Sequence, residues 1–331
     1  RGAGLHRRRG GHPVHRGLLT HAPHHSRRPA AWRAEGVDGL DDGVADETLN
    51  APPGTAMLYA RALAGSLLPG MVWGGGDRIP TRRLRLSTVR FTTEEVHAYR
   101  SVCGGVGPDL PPAMLHLAGF PLAMQLMTAR DFPMGSLGMV HIANRIEVRG
   151  PLPALGTYAV SVHVGEPRSH PRGTEFDVIT TATLDDSEVW QEASTYLSRG
   201  AELPTSGEPA PRRVWPEIPI DTPTEDLEIP ADIGRRYASV SGDRNPIHLH
   251  PLAARLFGFP SSIAHGMWTL ARCLAQVEDR LPARYVVEAG FFKPVLLPAR
   301  AALAVADAPE GPTVWLSSRE NLNAVVVVSG A

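Results

Sequence analysis

The same order of segments occurs twice in this chain, and it limits the fold more than any other feature. Each half contains the frame Tyr-x-Ser-Val-x-Gly, at 99–104 and again at 237–242. Each half later has a Leu-Pro-Ala triplet, at 152–154 and 297–299. Self-similarity of this kind is typical of a repeated structural unit. We therefore expect two related units that arose by duplication.

An apolar stretch between these two landmarks predicts a buried helix in each half. From Met267 to Val277, apolar residues occur at positions i, i+3, i+7 and i+10, which is one face of a helix. The stretch from Met114 to Met127 is apolar nearly all round, as expected of a helix that a sheet surrounds. Gly119 and Pro121 are expected to kink it.

Alternating runs after each helix indicate antiparallel strands. In the first half they cover 157–164, 175–184 and 189–198, and in the second half 288–306, 313–318 and 323–330. A long helix followed by several strands is an α+β pattern. The apolar helix is then expected to lie against the concave face of the sheet.

The 331 residues are enough for two domains of ordinary size, and changes in composition suggest their limits. Residues 201–224 are rich in Pro, Ser, Thr and Glu and are predicted to be a linker between domains at 51–200 and 225–331. Residues 1–50 are treated as a leader outside the fold. Residues 1–33 hold eight Arg and six His without an acidic residue. A basic nucleic-acid arm or a targeting segment is the alternative, and a disordered leader is the expectation.

Composition excludes several classes of function. A formal net charge of -1 gives no reason to expect a nucleic-acid partner or an anionic membrane surface. No stretch approaches the ~18 apolar residues of a membrane span, so no membrane association is expected. Cys103 and Cys273 lie far apart and build neither a disulfide framework nor a zinc site, which fits a reducing, cytoplasmic compartment.

The loop SGDRNPIHLH, residues 241–250, concentrates the reactive side chains. Asp243 and His248 flank a proline turn and can both face one bound water. Their unperturbed pKa values differ by ~2.5 units, so one group can be ionised while the other exchanges protons near neutral pH. Asn245 lies between them and can either orient the pair or hold the loop through backbone hydrogen bonds.

A metal site is the alternative interpretation of this loop. His248, His250, His265 and Asp243 can supply four nitrogen and oxygen ligands. However, Pro251 is expected to start a short helix, which makes His250 its N-cap residue instead of a ligand. No metal is therefore predicted.

Segments 237–248, 254–259, 263–267 and 291–299 resemble the MaoC-like, or (R)-specific enoyl-CoA hydratase (hydratase 2), family of hot-dog proteins. The resemblance implies an α+β double hot-dog, with two antiparallel sheets each wrapped around a long central helix. It also implies reversible hydration of a trans-2-enoyl thioester of coenzyme A or acyl carrier protein to the (R)-3-hydroxyacyl thioester, without a cofactor. Each chain would then resemble a dimer of hot-dog units, and a homodimer of two chains is compatible with this arrangement. The family usually has Asp where this chain has His250.

The resemblance also assigns roles within the loop region. Asp243 and His248 activate the water and manage the proton. Gly266 begins the second apolar helix, so its N–H is an unpaired helix-start donor that can stabilise the thioester oxyanion. Asn245, Ser241 and His265 are expected to support the site, with His265 tying two loops together.

The first half lacks this chemistry. Gly105 stands at the position that matches Asp243, and no Asn-Pro-x-His follows it. One active site per chain is therefore expected. The Met-rich helix of the first half either lines an acyl tunnel or packs as simple core. A hot-dog thioesterase and a non-catalytic acyl-thioester binding protein are the alternative functions.

Overall fold

Helices followed by a run of consecutive strands occur twice along the chain. The computed structural model describes residues 45–67, 78–135, 138–201, 203–205, 213–309 and 311–331. The strands are β1 (Ala45–Leu49), β2 (Arg82–Val89), β3 (Val140–Val148), β4 (Tyr158–Val164), β5 (Arg168–His170), β6 (Gly173–Leu184), β7 (Ser187–Arg199), β8 (Thr224–Ile229), β9 (Tyr285–Phe291), β10 (Ala299–Ala308), β11 (Gly311–Ser318) and β12 (Asn321–Gly330). The helices are α1 (Thr55–Leu67), α2 (Thr93–Cys103), α3 (Leu115–Met127), α4 (Ile233–Ser241), α5 (Pro246–Leu249), α6 (Pro251–Leu256) and α7 (Gly266–Leu274), and a 3-10 turn follows at Glu278–Arg280.

The strand order confirms the duplication. The described strands form one 12-stranded sheet with the path β1-β2-β4-β6-β7-β3-β9-β12-β11-β10-β8, and β5 pairs with β6 beside this path. The first half contributes β2-β4-β6-β7-β3, and the second contributes β8-β10-β11-β12-β9 in reverse direction along the path. Each half therefore repeats one order of pairing, and the predicted α+β double hot-dog is confirmed.

The two expected sheets are joined at their edges. Strands β3 and β9 pair antiparallel, in a register that runs from Ala143 opposite Gly290 to Val148 opposite Tyr285. This pairing satisfies the backbone groups of two strands that would otherwise be exposed sheet edges. The sheet of the first half thus continues into that of the second.

Each central helix lies in the main apolar core. Helix α3 follows its predicted course, contains Pro121, and packs so closely on β6 that a Cβ at Gly119 would lie 2.6 Å from Thr180 Cγ2. Helix α7 ends at Leu274, so the predicted helix was too long at its C-terminal end. Val277 is nevertheless fully buried, because the chain continues over the core before the 3-10 turn.

The boundaries of the leader and the linker differ in part from the prediction. Residues 45–49, which were included in the leader, form β1 and pair parallel with β2, so the leader prediction was wrong for them. Residues 1–44 lie outside the described residues. The described residues of the predicted linker that precede Thr224 form neither helix nor strand. No helix in the described ranges is long and apolar enough to cross a membrane.

Candidate active site

A cavity of about 230 Å³ lies where the two halves of the chain meet. Loop 241–250 and the start of α7 supply its walls from the second half, and α3, β3 and β7 supply walls from the first. Helix α1 contributes Tyr59 and Ala62. The predicted residues Ser241, Asp243, Asn245, His248, His265 and Gly266 all line this cavity.

The turn that carries Asp243 is held by its neighbours in the chain. Helix α4 ends at Gly242, whose φ of 75° is in the left-handed region that glycine adopts easily. Ser241 Oγ accepts a hydrogen bond from the Asp243 amide at 3.2 Å. Asp243 Oδ1 in turn accepts from the Asn245 amide at 3.1 Å. These bonds give the carboxylate one orientation.

Asn245 holds the loop. It is the N-cap residue of α5, and its Oδ1 accepts from the Ile247 amide at 3.4 Å while Pro246 occupies the first helical position. The contact of Asn245 Oδ1 with the Ile247 amide supports a role in fixing the backbone rather than in orienting Asp243 and His248. The orientation of α5, and of His248 on it, depends on this cap.

His248 is presented to the cavity in a defined tautomer. Its Nδ1 lies 2.8 Å from the carbonyl oxygen of Ile263, so Nδ1 carries a proton and Nε2 keeps a free lone pair. The backbone of His248 sits directly on Gly234 of α4, where a Cβ would come 2.1 Å from the His248 carbonyl oxygen. Gly234 is therefore a positioning residue that no motif in the sequence had marked.

His265 ties two loops together, as its position before Gly266 predicts. Its Nε2 lies 3.1 Å from the backbone oxygen of Asp243, and its ring stacks on His248 with 3.7 Å between centroids. Burial and the neighbouring His248 lower the pKa of His265 to about 3. His265 is thus a neutral donor to the loop.

The protonation states of the catalytic candidates follow from their surroundings. Burial opposes ionisation of Asp243, but His265, His248 and a hydrogen bond from Tyr59 outweigh it and hold the pKa of Asp243 below its usual range. Burial lowers the pKa of His248, and Asp243 opposes this effect only in part. Near neutral pH the site therefore pairs a carboxylate with a neutral imidazole, which is a proton acceptor.

Gly266 is the first residue of α7, so its amide has no partner within its own helix. A Cβ at this position would lie 3.5 Å from Phe291 Cζ and 3.6 Å from His141 Nδ1, at ordinary contact distance. The missing side chain therefore leaves room for a carbonyl oxygen to approach the helix start. The helix dipole also favours negative charge there.

The four ligands of the alternative metal site are not brought together. One ligand atom each of Asp243, His248 and His265 lies within 4.8 Å of the others, but His250 is exposed and accepts from the Leu252 amide at 3.2 Å as N-cap of α6. The nitrogens His248 Nδ1 and His265 Nε2 donate to carbonyl oxygens. Those two nitrogens are therefore closed to a metal, while Nε2 of His248 and Nδ1 of His265 keep the lone pairs. What the contacts exclude is the four-ligand site that includes His250.

Tyr59 is a site residue that the sequence analysis missed. Its O–H donates to Asp243 Oδ1, although the two residues are 184 positions apart in the chain. Burial and the adjacent Asp243 carboxylate raise the pKa of Tyr59 well above its usual range, so it stays a donor. No pattern within α1 marks this tyrosine, because its partner is known only from the fold.

Helix α3 lines the cavity and also packs in the core. Phe120, Met124 and Met127 are buried and form part of the cavity wall, together with Met139. The structure thus combines the two expected positions of this helix, and the acyl tunnel stays a prediction. Methionine side chains are flexible, so this wall can adapt to ligands of different shape.

Known proteins resemble this chain in sequence. The family model described as MaoC like domain matches residues 210–307. The chain is 38% identical over 254 residues to 3-hydroxyacyl-thioester dehydratase X of Mycobacterium tuberculosis, covering 76% of this chain and 88% of that protein. It is 29% identical over 161 residues to the enoyl-CoA hydratase ChsH3 of the same organism, covering 46% of this chain and 54% of that protein.

Solved structures resemble it in fold. The crystal structure of HtdX from Mycobacterium tuberculosis is 32% identical, with a TM-score of 0.66 over 76% of this chain and all (100%) of that one. A MaoC-like dehydratase from Phytophthora capsici shares the fold at 18% identity, with a TM-score of 0.60 over 75% of this chain and 92% of that one. Given this similarity over most of the chain, the protein belongs to the MaoC-like dehydratase family.

Proposed function

We propose that the chain is a hydro-lyase that reversibly adds water to a trans-2-enoyl thioester, giving the (R)-3-hydroxyacyl thioester, in fatty-acid metabolism. One observation carries the proposal. Asp243 and His248, an ionised carboxylate and a neutral imidazole, line the same cavity as the free helix-start amide of Gly266. The names of the related dehydratase and hydratase support the same reaction class.

Each of these groups has a role in the reaction. His248 Nε2 accepts a proton from a water molecule whose other hydrogen is held by the Asp243 carboxylate, and the water oxygen bonds to C3. The electron pair of the double bond moves to the thioester oxygen, where the Gly266 N–H and the α7 dipole stabilise the enolate. The imidazolium of His248 then donates this proton to C2. The same steps in reverse order dehydrate the 3-hydroxyacyl thioester.

Asp243 has a second role during the reaction. When His248 becomes an imidazolium, the nearby carboxylate offsets its charge, because opposite charges favour each other's ionised forms. Tyr59 and the Asn245 amide keep that carboxylate ionised and fixed. Without it, protonation of the buried His248 would be more costly.

The carrier of the acyl group is proposed to be coenzyme A or acyl carrier protein. Lys293 and Arg199 are exposed at the cavity and can meet the phosphate groups that both carriers contain. A cationic side chain at the rim would draw the phosphorylated arm to the entrance without entering the chemistry.

The test removes the two proton-handling groups separately. With trans-2-decenoyl-CoA, Asp243→Asn and His248→Gln are each expected to lower kcat by roughly a hundredfold to ten-thousandfold, with the circular dichroism spectrum unchanged. Hydration is followed by loss of the absorbance of the conjugated thioester. His250→Gln is the matched control, because this exposed histidine lies two positions away and is expected to keep full activity.

The same assay separates hydration from the alternative functions. When the protein is incubated with decanoyl-CoA, a thiol reagent detects any free coenzyme A. A thioesterase releases this thiol, and a hydratase does not. Near-normal hydration in either variant would exclude the proposed pair. Tight acyl-CoA binding with no turnover at any chain length would identify a non-catalytic binding protein.

A further inference from the structure

A buried ion pair lies in the first-half wall of the cavity, and the proposed hydration does not use it. Glu192 of β7 has 0% of its side chain exposed, and His116 of α3 contacts it through Nδ1 at 2.8 Å. Asn144 of β3 donates Nδ2 to the same carboxylate at 2.7 Å. His116 itself lines the cavity. The pair therefore brings a buried charge to the cavity wall, beside the apolar side chains of α3.

The surroundings of the pair favour the charged form of both partners. Burial disfavours the charged form of His116, but the Glu192 carboxylate outweighs this effect and raises the pKa of the imidazole. Burial likewise disfavours ionised Glu192, and the contact with His116 outweighs it and lowers the pKa of the carboxyl group. Since Nδ1 of His116 is engaged by Glu192, Nε2–H is the donor left for a ligand in the cavity.

A plain hydrocarbon chain does not account for this arrangement. A buried ion pair can commonly be replaced by apolar residues of similar volume with no loss of stability. One turn further along α3, Phe120 presents an apolar surface to the same cavity. A methylene chain packed on His116 would leave a charged donor without an acceptor, which is costly in a dry site.

A second imidazole offers complementary hydrogen bonding. His141 of β3 lines the cavity, and its Nδ1 lies 3.6 Å from the position of a Cβ on Gly266. Among the residues that the structure describes, His141 Nε2 is buried without a hydrogen-bond partner. Burial and the charge of His116 lower the pKa of His141 to about 4, so the ring is neutral. His141 therefore adds a neutral polar ring to the same cavity wall as His116.

We propose that this enzyme selects enoyl thioesters whose acyl chain carries an oxygen, as a hydroxyl or carbonyl group, beyond C3, and that His116 binds this oxygen. Glu192 is the positioning residue that fixes the imidazolium. The inference rests on the proposed function, because it names the substrate class of the same cavity. A cation beside a neutral imidazole suits an oxygen that accepts one hydrogen bond and, as a hydroxyl, donates another.

The experiment compares chains that differ in one oxygen. Trans-2-decenoyl-CoA is measured against the same chain with a single hydroxyl or keto group at each carbon from C4 to C8. At one or more positions, kcat/KM is expected to exceed that of the plain chain by about tenfold or more. The double variant His116→Leu/Glu192→Leu removes both charges together and is expected to bring this ratio to about one while it still hydrates the plain chain.

Two further variants keep the result interpretable. His163→Leu removes another buried histidine of the first half, on β4 and outside the cavity lining, and is expected to keep the wild-type ratio. If the double variant does not fold, His116→Gln replaces it, since glutamine can still donate to Glu192 without a charge. Its ratio is expected to fall toward one.

Three outcomes would overturn the inference. Two are kinetic: equal kcat/KM for the plain chain and every oxygenated chain in the wild type, or a preference that survives in the double variant. The third is equal calorimetric Kd values for decanoyl-CoA and for decanoyl-CoA with one hydroxyl group at each carbon from C4 to C8, since binding measures the same selectivity without turnover. Absence of hydration would refute the proposed function, whereas equal Kd values would refute only the selectivity.

Discussion

Replacing Tyr59 by phenylalanine isolates what the first half of the chain contributes to the catalytic carboxylate. The Tyr59 O–H is one of two donors to Asp243 Oδ1, the other being the Asn245 amide. The substitution removes this donor and keeps the ring that packs in the cavity wall. We expect the pKa of Asp243 to rise, because its charged form loses a hydrogen bond.

The size of the shift follows from the contact. A hydrogen bond to a charged group contributes about 1.5–3 kcal/mol, and 1.36 kcal/mol corresponds to about one pKa unit. The Asp243 side chain is 24% exposed, so water replaces part of the lost bond and the low end of this range applies. We expect the pKa of Asp243 to rise by about one unit.

Folded Asp243 has a lowered pKa, so its contribution to stability is present above the unfolded value of about 3.9 and is lost as pH falls through the folded value. In the Tyr59→Phe variant the Asp243 carboxyl group should be half protonated at a pH about one unit higher. Hydration at pH 8, where the carboxylate is ionised in both proteins, should be little changed.

The assay is a carbon-13 NMR titration of the Asp243 carboxyl carbon, because kcat/KM also falls when His248 is protonated and does not report Asp243 alone. Tyr158→Phe serves as control, because Tyr158 donates to the carbonyl of Pro153 outside the cavity lining and should not move the titration of Asp243. A midpoint that stays in place, or that moves to lower pH, in the Tyr59 variant would show that the tyrosine does not stabilise the carboxylate.

Three further substitutions test individual features of the site. Gly266→Ala adds a methyl group at ordinary contact distance from Phe291, so the thermal stability should be kept. The methyl group fills the approach to the amide, so kcat/KM should fall on the order of a hundredfold, and unchanged turnover would refute the oxyanion role. Gly234→Ala forces a Cβ to within 2.1 Å of the His248 carbonyl oxygen, so activity should fall and the free energy of unfolding should decrease by about 1–3 kcal/mol in denaturant titrations. A fully active, stable variant would show that the α4–α5 contact is not needed. His250→Asp supplies a stronger N-cap for α6 and should raise the free energy of unfolding by about 0.5–1 kcal/mol with kcat unchanged. Loss of activity would instead indicate a direct role of His250 in the reaction.

Features that depend on neighbours in the chain were predicted well. The Asp-x-Asn-Pro-x-His loop, the cap at His250 and the start of α7 at Gly266 all involve bonds between residues a few positions apart. The duplicated order of helix and strands likewise follows from local periodicity. These patterns are legible because turns, caps and amphipathic faces are formed by residues close in sequence.

The residues alone were enough to infer the fold class, the duplication and the second-half loop with its proposed chemistry. Three contacts became visible only in the folded molecule: Tyr59 with Asp243, His116 with Glu192 in the cavity wall, and β3 with β9 in one sheet. Residues 45–49 also join the sheet. Each of these contacts joins segments far apart in the chain, and a single sequence carries no pattern for such a partner until the packed core brings the two together.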